Sequence, residues 1–387
     1  VRANFLEVRE GQNESARELA SYVERLGKAD NEVAAVALEV LASYRLANKD
    51  SRGARVLAER VIADYGQGVA ALDTEKVLHS RITAGIACLD HLDIRGGLAY
   101  LRDAVQLARQ CHSVTRLVRA LQRLVIALFV LGRVDEVLAA QEELESLRGV
   151  TTTGEHSAAC TAIAAALAVR GRYAESLAVT ADGLELVDVT GYRFMEPVLV
   201  GCQVYCLLQK GDTAAAEEAI DRLELERPRR AAQLLRGEVA LARVRNRQTP
   251  LTELDGGSSV YPGMTGAVSE GALDFSELAR VMMLTELALA NNDLEVLAGV
   301  LPKLEEAEQA GIVFSTAWPV SVPLLLGRVC LRLNTERDAY YHFRHALDYA
   351  SGENLPLQLT ALQQVLQDEW PQETQLQALL DAALAGC

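Results

Sequence analysis

Two pairs of side chains in this 387-residue chain stand at spacings that could hold a metal ion. Cys202 and Cys206 are four apart, one helical turn, and His342 and His345 are three apart in AYYHFRHALDY. A structural zinc site needs four N or S ligands. The cysteine pair has no His or further Cys near it in sequence and falls within a helix-packing pattern, so it reads as core. The histidines flank the core residues Phe343 and Ala346 and read as a solvated helix face, so no metal is expected. A third set is cationic. Eight arginines lie between Arg222 and Arg247 in an otherwise acidic chain. Four of them, Arg229, Arg230, Arg236 and Arg243, form a candidate docking patch, because guanidinium forks suit carboxylates and phosphates. Neighbouring glutamates could equally neutralise them on a solvated surface. No phosphate loop, dinucleotide glycine motif, HExxH, GxSxG or CxxC occurs. Carboxylates abound, but nothing isolates a pair for acid–base work. The expectation is no cofactor and no enzyme.

The elements that would position these residues are helices. All nine prolines lie at or after Pro197, and apolar residues recur at three-and-four spacing throughout. No period-two alternation persists, so strands are not expected. One unit repeats: a helix, a tight turn and a second helix, clearest in ACTAIAAALAVRGRYAESLAVTADGLEL. Aligning the first core position of each second helix gives Ala54, Gly97, Val137, Ser176, Ala216, Leu297 and Ala339. Successive gaps are 43, 40, 39, 40, 81 and 42, and the gap of 81 is twice the period. Residues 1–387 therefore read as one array of about eight helical pairs. Repeats fill 1–246, after a leading helix over about Glu14–Leu26. An irregular, Gly- and Ser-rich stretch over 247–275 replaces one helix, and repeats with a terminal cap fill 276–387.

With small residues at the predicted crossings (Leu41-Ala42, Ala84-Gly85, Ile163-Ala164, Leu326-Gly327) and small-large-small patterns on second helices such as Ala339/Phe343/Ala346, the chain resembles the tetratricopeptide-repeat superfamily. Its period near 40 residues exceeds the usual 34. That long variant resembles the superhelical sensor domain of bacterial transcriptional activators of the maltose-regulator type. The resemblance implies an all-α, right-handed superhelical solenoid whose groove is lined by the first helix of each pair. It carries the groove positions onto His79, Arg119, Gln122, Phe129, Tyr205 and Arg328. Arg116, Arg119 and Arg123 fall on adjacent turns of one helix and form a denser local cluster.

Composition bounds the partners. With 38 Lys+Arg against 53 Asp+Glu, the formal net charge is -15, which repels a phosphate backbone. The opening residues carry no apolar run of the signal-peptide kind, and no stretch is long enough to span a bilayer. The seven cysteines have no framework spacing and suit a reducing, cytoplasmic setting. The reading is a non-enzymatic interaction or sensor module, a regulatory segment of a bacterial signalling or transcription-regulating protein. Its ligand would be a peptide, a partner domain or a small effector, with no nucleic acid and no membrane. The alternative is an α/α-toroid carbohydrate-active hydrolase or lyase. Aromatics make up only 5% of the chain and Trp318 and Trp370 both lie near its C-terminal end, a poor platform for sugar stacking.

Overall fold

A computed structural model describes residues 32–48, 50–65, 71–147, 154–191, 193–224, 229–245, 273 and 275–386. The leading helix expected over Glu14–Leu26, and the irregular stretch apart from its last residues, lie outside these. Among the described residues there are seventeen α-helices, one short 3-10 turn at Arg193–Met195 and no strand; the chain is all-α. The helices are α1 (Glu32–Ala47), α2 (Ser51–Tyr65), α3 (Ala71–Asp90), α4 (Ile94–Gln110), α5 (Val114–Val130) and α6 (Val134–Ser146). Next come α7 (Gly154–Val169), α8 (Tyr173–Thr190), α9 (Glu196–Gln209), α10 (Thr213–Glu224) and α11 (Arg229–Arg245). The last six are α12 (Phe275–Asn291), α13 (Leu294–Gln309), α14 (Val322–Arg332), α15 (Glu336–Gly352), α16 (Pro356–Glu369) and α17 (Thr374–Gly386). The chain forms two compact units: residues 1–127 with 146–151, and residues 128–145 with 152–387.

One local device closes seven of the hairpins; the terminal α16–α17 pair lacks it, the Glu373 N–H donating to the Trp370 carbonyl three residues back instead. The seven aligned positions, Ala54 to Ala339, are each the fourth residue of a second helix, and all seven are buried. The backbone N–H of each donates to the carbonyl of the residue before that helix, at 2.9–3.2 Å. That preceding residue (Asp50, Asp93, Arg133, Arg172, Asp212, Asp293 or Thr335) in turn donates its own N–H to a carbonyl five residues back, at 2.8–3.0 Å. This six-to-one bond satisfies a carbonyl that the end of the first helix leaves without an intrahelical partner. It requires a left-handed residue one position earlier. That position holds Gly132, Gly171 and Gly211, then Asn292 and Asn334, at φ between 53° and 78°, and once Leu92 at 57°. Glycine and asparagine adopt this conformation at low cost. At four of the starts an aspartate side chain also accepts an N–H of the first turn: Asp50 from Gly53, Asp93 from Gly96, Asp212 from Ala215 and Asp293 from Val296. Each such cap stabilises its helix by about 1 kcal/mol.

The core lies where the two helices of a pair cross, and it is narrow. A Cβ added at Gly85 on α3 would stand 2.7 Å from Leu101 Cγ on α4, and one at Gly327 on α14 would stand 2.5 Å from the Phe343 ring on α15. In unit 1 the crossing of α3 with α4 places Gly97 against Leu89 and the Gly85 carbonyl. In unit 2, Gly183 on α8 plays the same part against Leu199 on α9. Alanine and glycine at these points let helix axes approach, which explains why so large a core needs so few aromatics.

A helix-interior glycine ordinarily costs about 1 kcal/mol relative to alanine. At a crossing the sign should reverse. Gly85→Leu and Gly327→Leu should each destabilise the protein by about 1–3 kcal/mol through overpacking. Urea denaturation followed by circular dichroism checks this; midpoints equal to wild type would contradict it.

Candidate functional site

In unit 1 the first helices of three successive pairs converge on a polar cluster. His79 of α3 is buried, with Arg116 and Arg119 of α5 on one side and Glu39 and Ser43 of α1 on the other. The sequence of α5, VTRLVRALQRLVIALFV, spaces Arg116, Arg119 and Arg123 at three and four residues, so they share one stripe. Val118, Leu121 and Val125 take the core stripe, and Gln122 is buried as well. Arg116 donates a hydrogen bond to His79 Nδ1, and Arg119 Nη1 lies 3.5 Å from the same atom. A guanidinium has only donors, so Nδ1 must accept and the proton sits on Nε2. From there it reaches Ser43 Oγ at 3.0 Å, with a Glu39 carboxylate oxygen 3.6 Å away.

This imidazole is neutral. Burial, then the charges of Arg119 and Arg116, hold it well below the usual range, at about 3. The result is two guanidinium groups against an uncharged ring, with Arg123 further along the same helix stripe, chemistry suited to a carboxylate or phosphate. Glu39, Ser43 and Thr83 were not singled out from the sequence, though a signal was there. Glu39, His79 and Arg119 stand at successive intervals of 40, as do Ser43, Thr83 and Arg123. The cluster is one repeat position seen three times.

In unit 2 the remaining groove candidates are covered by the chain itself. Phe129, at the end of α5, stacks on Phe314 with ring centroids 5.5 Å apart. Tyr205 on α9 meets Trp318 edge to face, also at 5.5 Å. Arg328 on α14 is committed to Glu369, with Nε and Nη2 at 3.0 and 2.6 Å from one carboxylate oxygen, and both side chains are largely buried. These three are therefore packing residues here, and the carried-over positions do not gather into one site.

The three arginines of the Arg222–Arg247 segment whose side chains are described, Arg222, Arg236 and Arg243, are paired with acids of the same chain. Arg236 pairs with Asp221 at 2.9 Å and Arg243 with Glu217 at 2.8 Å. Arg222 bridges Asp188 and the buried Glu196 at 2.8 and 3.0 Å. Arg229 and Arg230 open α11, with side chains outside the described residues. The two metal-like pairs resolve differently. Cys202 and Cys206 are buried on α9 beside Ser176 Oγ, at 3.8 and 3.2 Å. His342, expected on a solvated face, is instead buried, because Glu308 of α13 reaches it at 3.0 Å and holds His345 at 2.9 Å as well. Burial opposes the charge on His342, but hydrogen bonds to Cys330 and Glu308 outweigh it and lift the ring to about 9. Burial likewise opposes ionisation of Glu308, and the two imidazoles win, drawing it down to about 2. Among the described residues no group of three or more His, Cys, Asp or Glu could hold a metal ion, and no helix is long and apolar enough to cross a membrane.

No protein-family model matches the chain, and no curated protein matches it. A solved structure described as "Crystal Structure of Rap Protein Complexed with Competence and Sporulation Factor" is similar to it at 12% sequence identity, covering 88% of this chain and 80% of that chain with a TM-score of 0.46.

Two predictions follow from these environments. The folded-state value of His79 is depressed, so its contribution is whole above about 6.5 and falls away as acid approaches about 3. Lowering the pH from 7 to 5 should therefore reduce the urea midpoint of the wild type more than that of His79→Gln. Equal losses would refute the neutral ring. Separately, Arg328→Met leaves the largely buried Glu369 with only the more distant Arg332, 3.8 Å away, and should cost about 3 kcal/mol, whereas Arg328→Met with Glu369→Met should recover most of it. A single variant as stable as wild type would show that Arg328 is dispensable to packing.

Proposed function

We propose that the protein is a non-enzymatic interaction module that takes an acidic segment of a peptide or partner domain across the α3–α5 face of unit 1. One observation carries this reading: Arg116 and Arg119 flank a neutral His79, and Arg123 continues their stripe along α5. Arginine gives bidentate, planar recognition of carboxylate or phosphate, and the neutral imidazole accepts from Arg116 and so fixes its guanidinium in place. In a chain of net charge -15 such a local face also steers an acidic ligand away from the rest of the surface. The biological setting in keeping with this is regulatory or sensory, the part of a bacterial signalling or transcription-regulating protein whose occupancy is passed to an effector elsewhere.

A small effector at the same face is the closest competitor, and native mass spectrometry of the full chain separates the two, since a retained small molecule appears as added mass. The toroid-enzyme alternative is disfavoured by burial: Trp318 and Trp370 are 3% and 4% exposed, so neither can offer a ring to a sugar.

The test uses an array of acidic peptides with free C-terminal carboxylates. Wild type should bind a subset with strong salt dependence. Arg119→Ala with Arg123→Ala should weaken that binding at least ten-fold, since each lost charge-assisted hydrogen bond costs about 1.5–3 kcal/mol. Undiminished binding by a folded double variant would sink the proposal.

A further inference from the structure

Residues 310–321 are out of keeping with the rest of unit 2. Every other fully described connection between helices has two to four residues, whereas this one has twelve. It also replaces the opening of a helix. The first helices of the other pairs run from 14 to 20 residues, and α14, which follows this segment, has 11. Yet the segment is no surface loop: Ile312, Val313, Phe314, Ser315, Ala317, Trp318 and Ser321 are all buried.

What buries it is a set of features built to hold an extended chain. The N–H groups of Val313 and Phe314 both donate to the Val130 carbonyl, at 2.8 and 3.3 Å, and Val130 ends α5, where carbonyls lack intrahelical partners. Phe314 enters an aromatic pocket between Phe129, stacked at 5.5 Å, and Tyr349, edge-on at 5.7 Å. Four residues on, Trp318 enters a second pocket beside Tyr205, and its indole N–H donates to Glu286, a buried carboxylate on α12. Between the pockets the backbone crosses α9 at Gly201, where an added Cβ would stand 2.8 Å from the Ala317 carbonyl oxygen. A glycine in mid-helix is costly, and here it makes room for a passing main chain. Main-chain docking, two side-chain pockets and a backbone notch are the components of a surface that reads an extended peptide.

The geometry points to a peptide groove in unit 2, formed by α5, α9, α12 and α15, that the protein fills in cis with its own residues 312–320. The segment is a built-in pseudo-ligand. An incoming chain with two bulky aromatic residues four apart, the second able to donate a hydrogen bond to Glu286, would compete for the same pockets. Occupancy would then be governed by release of the strap. This groove is independent of the arginine face in unit 1, and either assignment can fail without the other.

A fluorescein-labelled synthetic peptide of residues 311–321 is titrated into the full-length wild type and into the full chain carrying Phe314→Ala and Trp318→Ala, with anisotropy as the readout. The expected result is saturable binding to the double variant and binding at least ten-fold weaker to wild type, whose groove is occupied. Absence of binding to the folded double variant, or equal binding to both proteins, overturns the proposal. Should circular dichroism show the double variant unfolded, hydrogen exchange of the wild type decides instead. Amides of 312–320 exchanging at least ten-fold faster than those of α9 and α12 would support a strap that opens on its own, and exchange in step with those helices would make it a permanent part of the core and end the idea.

Discussion

The hydrogen bond that closes seven of the hairpins, from the residue before the second helix back to the carbonyl near the end of the first, is the constraint on which the remaining structure rests. It recurs seven times within 2.8–3.0 Å. It stops one helix and starts the next after a connection of two or three residues, and at the six described positions it holds one residue in the left-handed region, so the two helices leave the turn in a repeated way. Once that geometry is repeated, the residues near each crossing must be small. Gly85 and Gly327 have no room for even a methyl group without displacing Leu101 or Phe343. Local turn chemistry and core composition are thus two consequences of one geometry.

The same repetition organises the polar residues. First helices of successive pairs present equivalent positions side by side, so Glu39, His79 and Arg119, one repeat apart in sequence, meet in space. A cation beside a buried imidazole would be costly if the ring were charged, and the protein avoids this by keeping His79 neutral. At the other end of the chain the opposite solution appears. Glu308 draws two imidazoles onto one carboxylate, and His342 is held in its charged form. Two histidines that look alike in sequence therefore titrate in opposite directions. At His79 burial and two arginine charges act together, whereas at His342 hydrogen bonds to Cys330 and Glu308 outweigh burial.

Departures from the repeat are where unit 2 becomes individual. The shortened α14 and the extended residues before it bring Phe314 and Trp318 under Phe129, Tyr205 and Tyr349. Tyr349 also donates to the Gly132 carbonyl at 2.5 Å, and Arg170 donates to the Asn354 carbonyl at 2.6 Å while pairing with Asp135. Turns of early pairs in this unit are thereby tied to its late helices. Phe129, Tyr205, Phe314, Trp318 and Tyr349 serve these long-range closures, whereas Phe343 packs at the α14–α15 crossing.

The amino-acid order by itself determined the helices, their pairing and the register of every second helix, because turn glycines, capping aspartates and small crossing residues act within a few residues of one another. It also placed Arg116, Arg119 and Arg123 on one stripe, since a helix fixes that stripe locally. Tertiary structure alone decided which candidates share a surface. Nothing near Phe129 or Tyr205 in sequence announces Phe314 or Trp318. Nothing near Arg328 announces Glu369, 41 residues away, and nothing near Arg236 announces how its charge is met by Asp221. Short-range geometry is written in neighbouring residues, whereas coverage and charge pairing depend on which distant segments the packed helices bring back into contact.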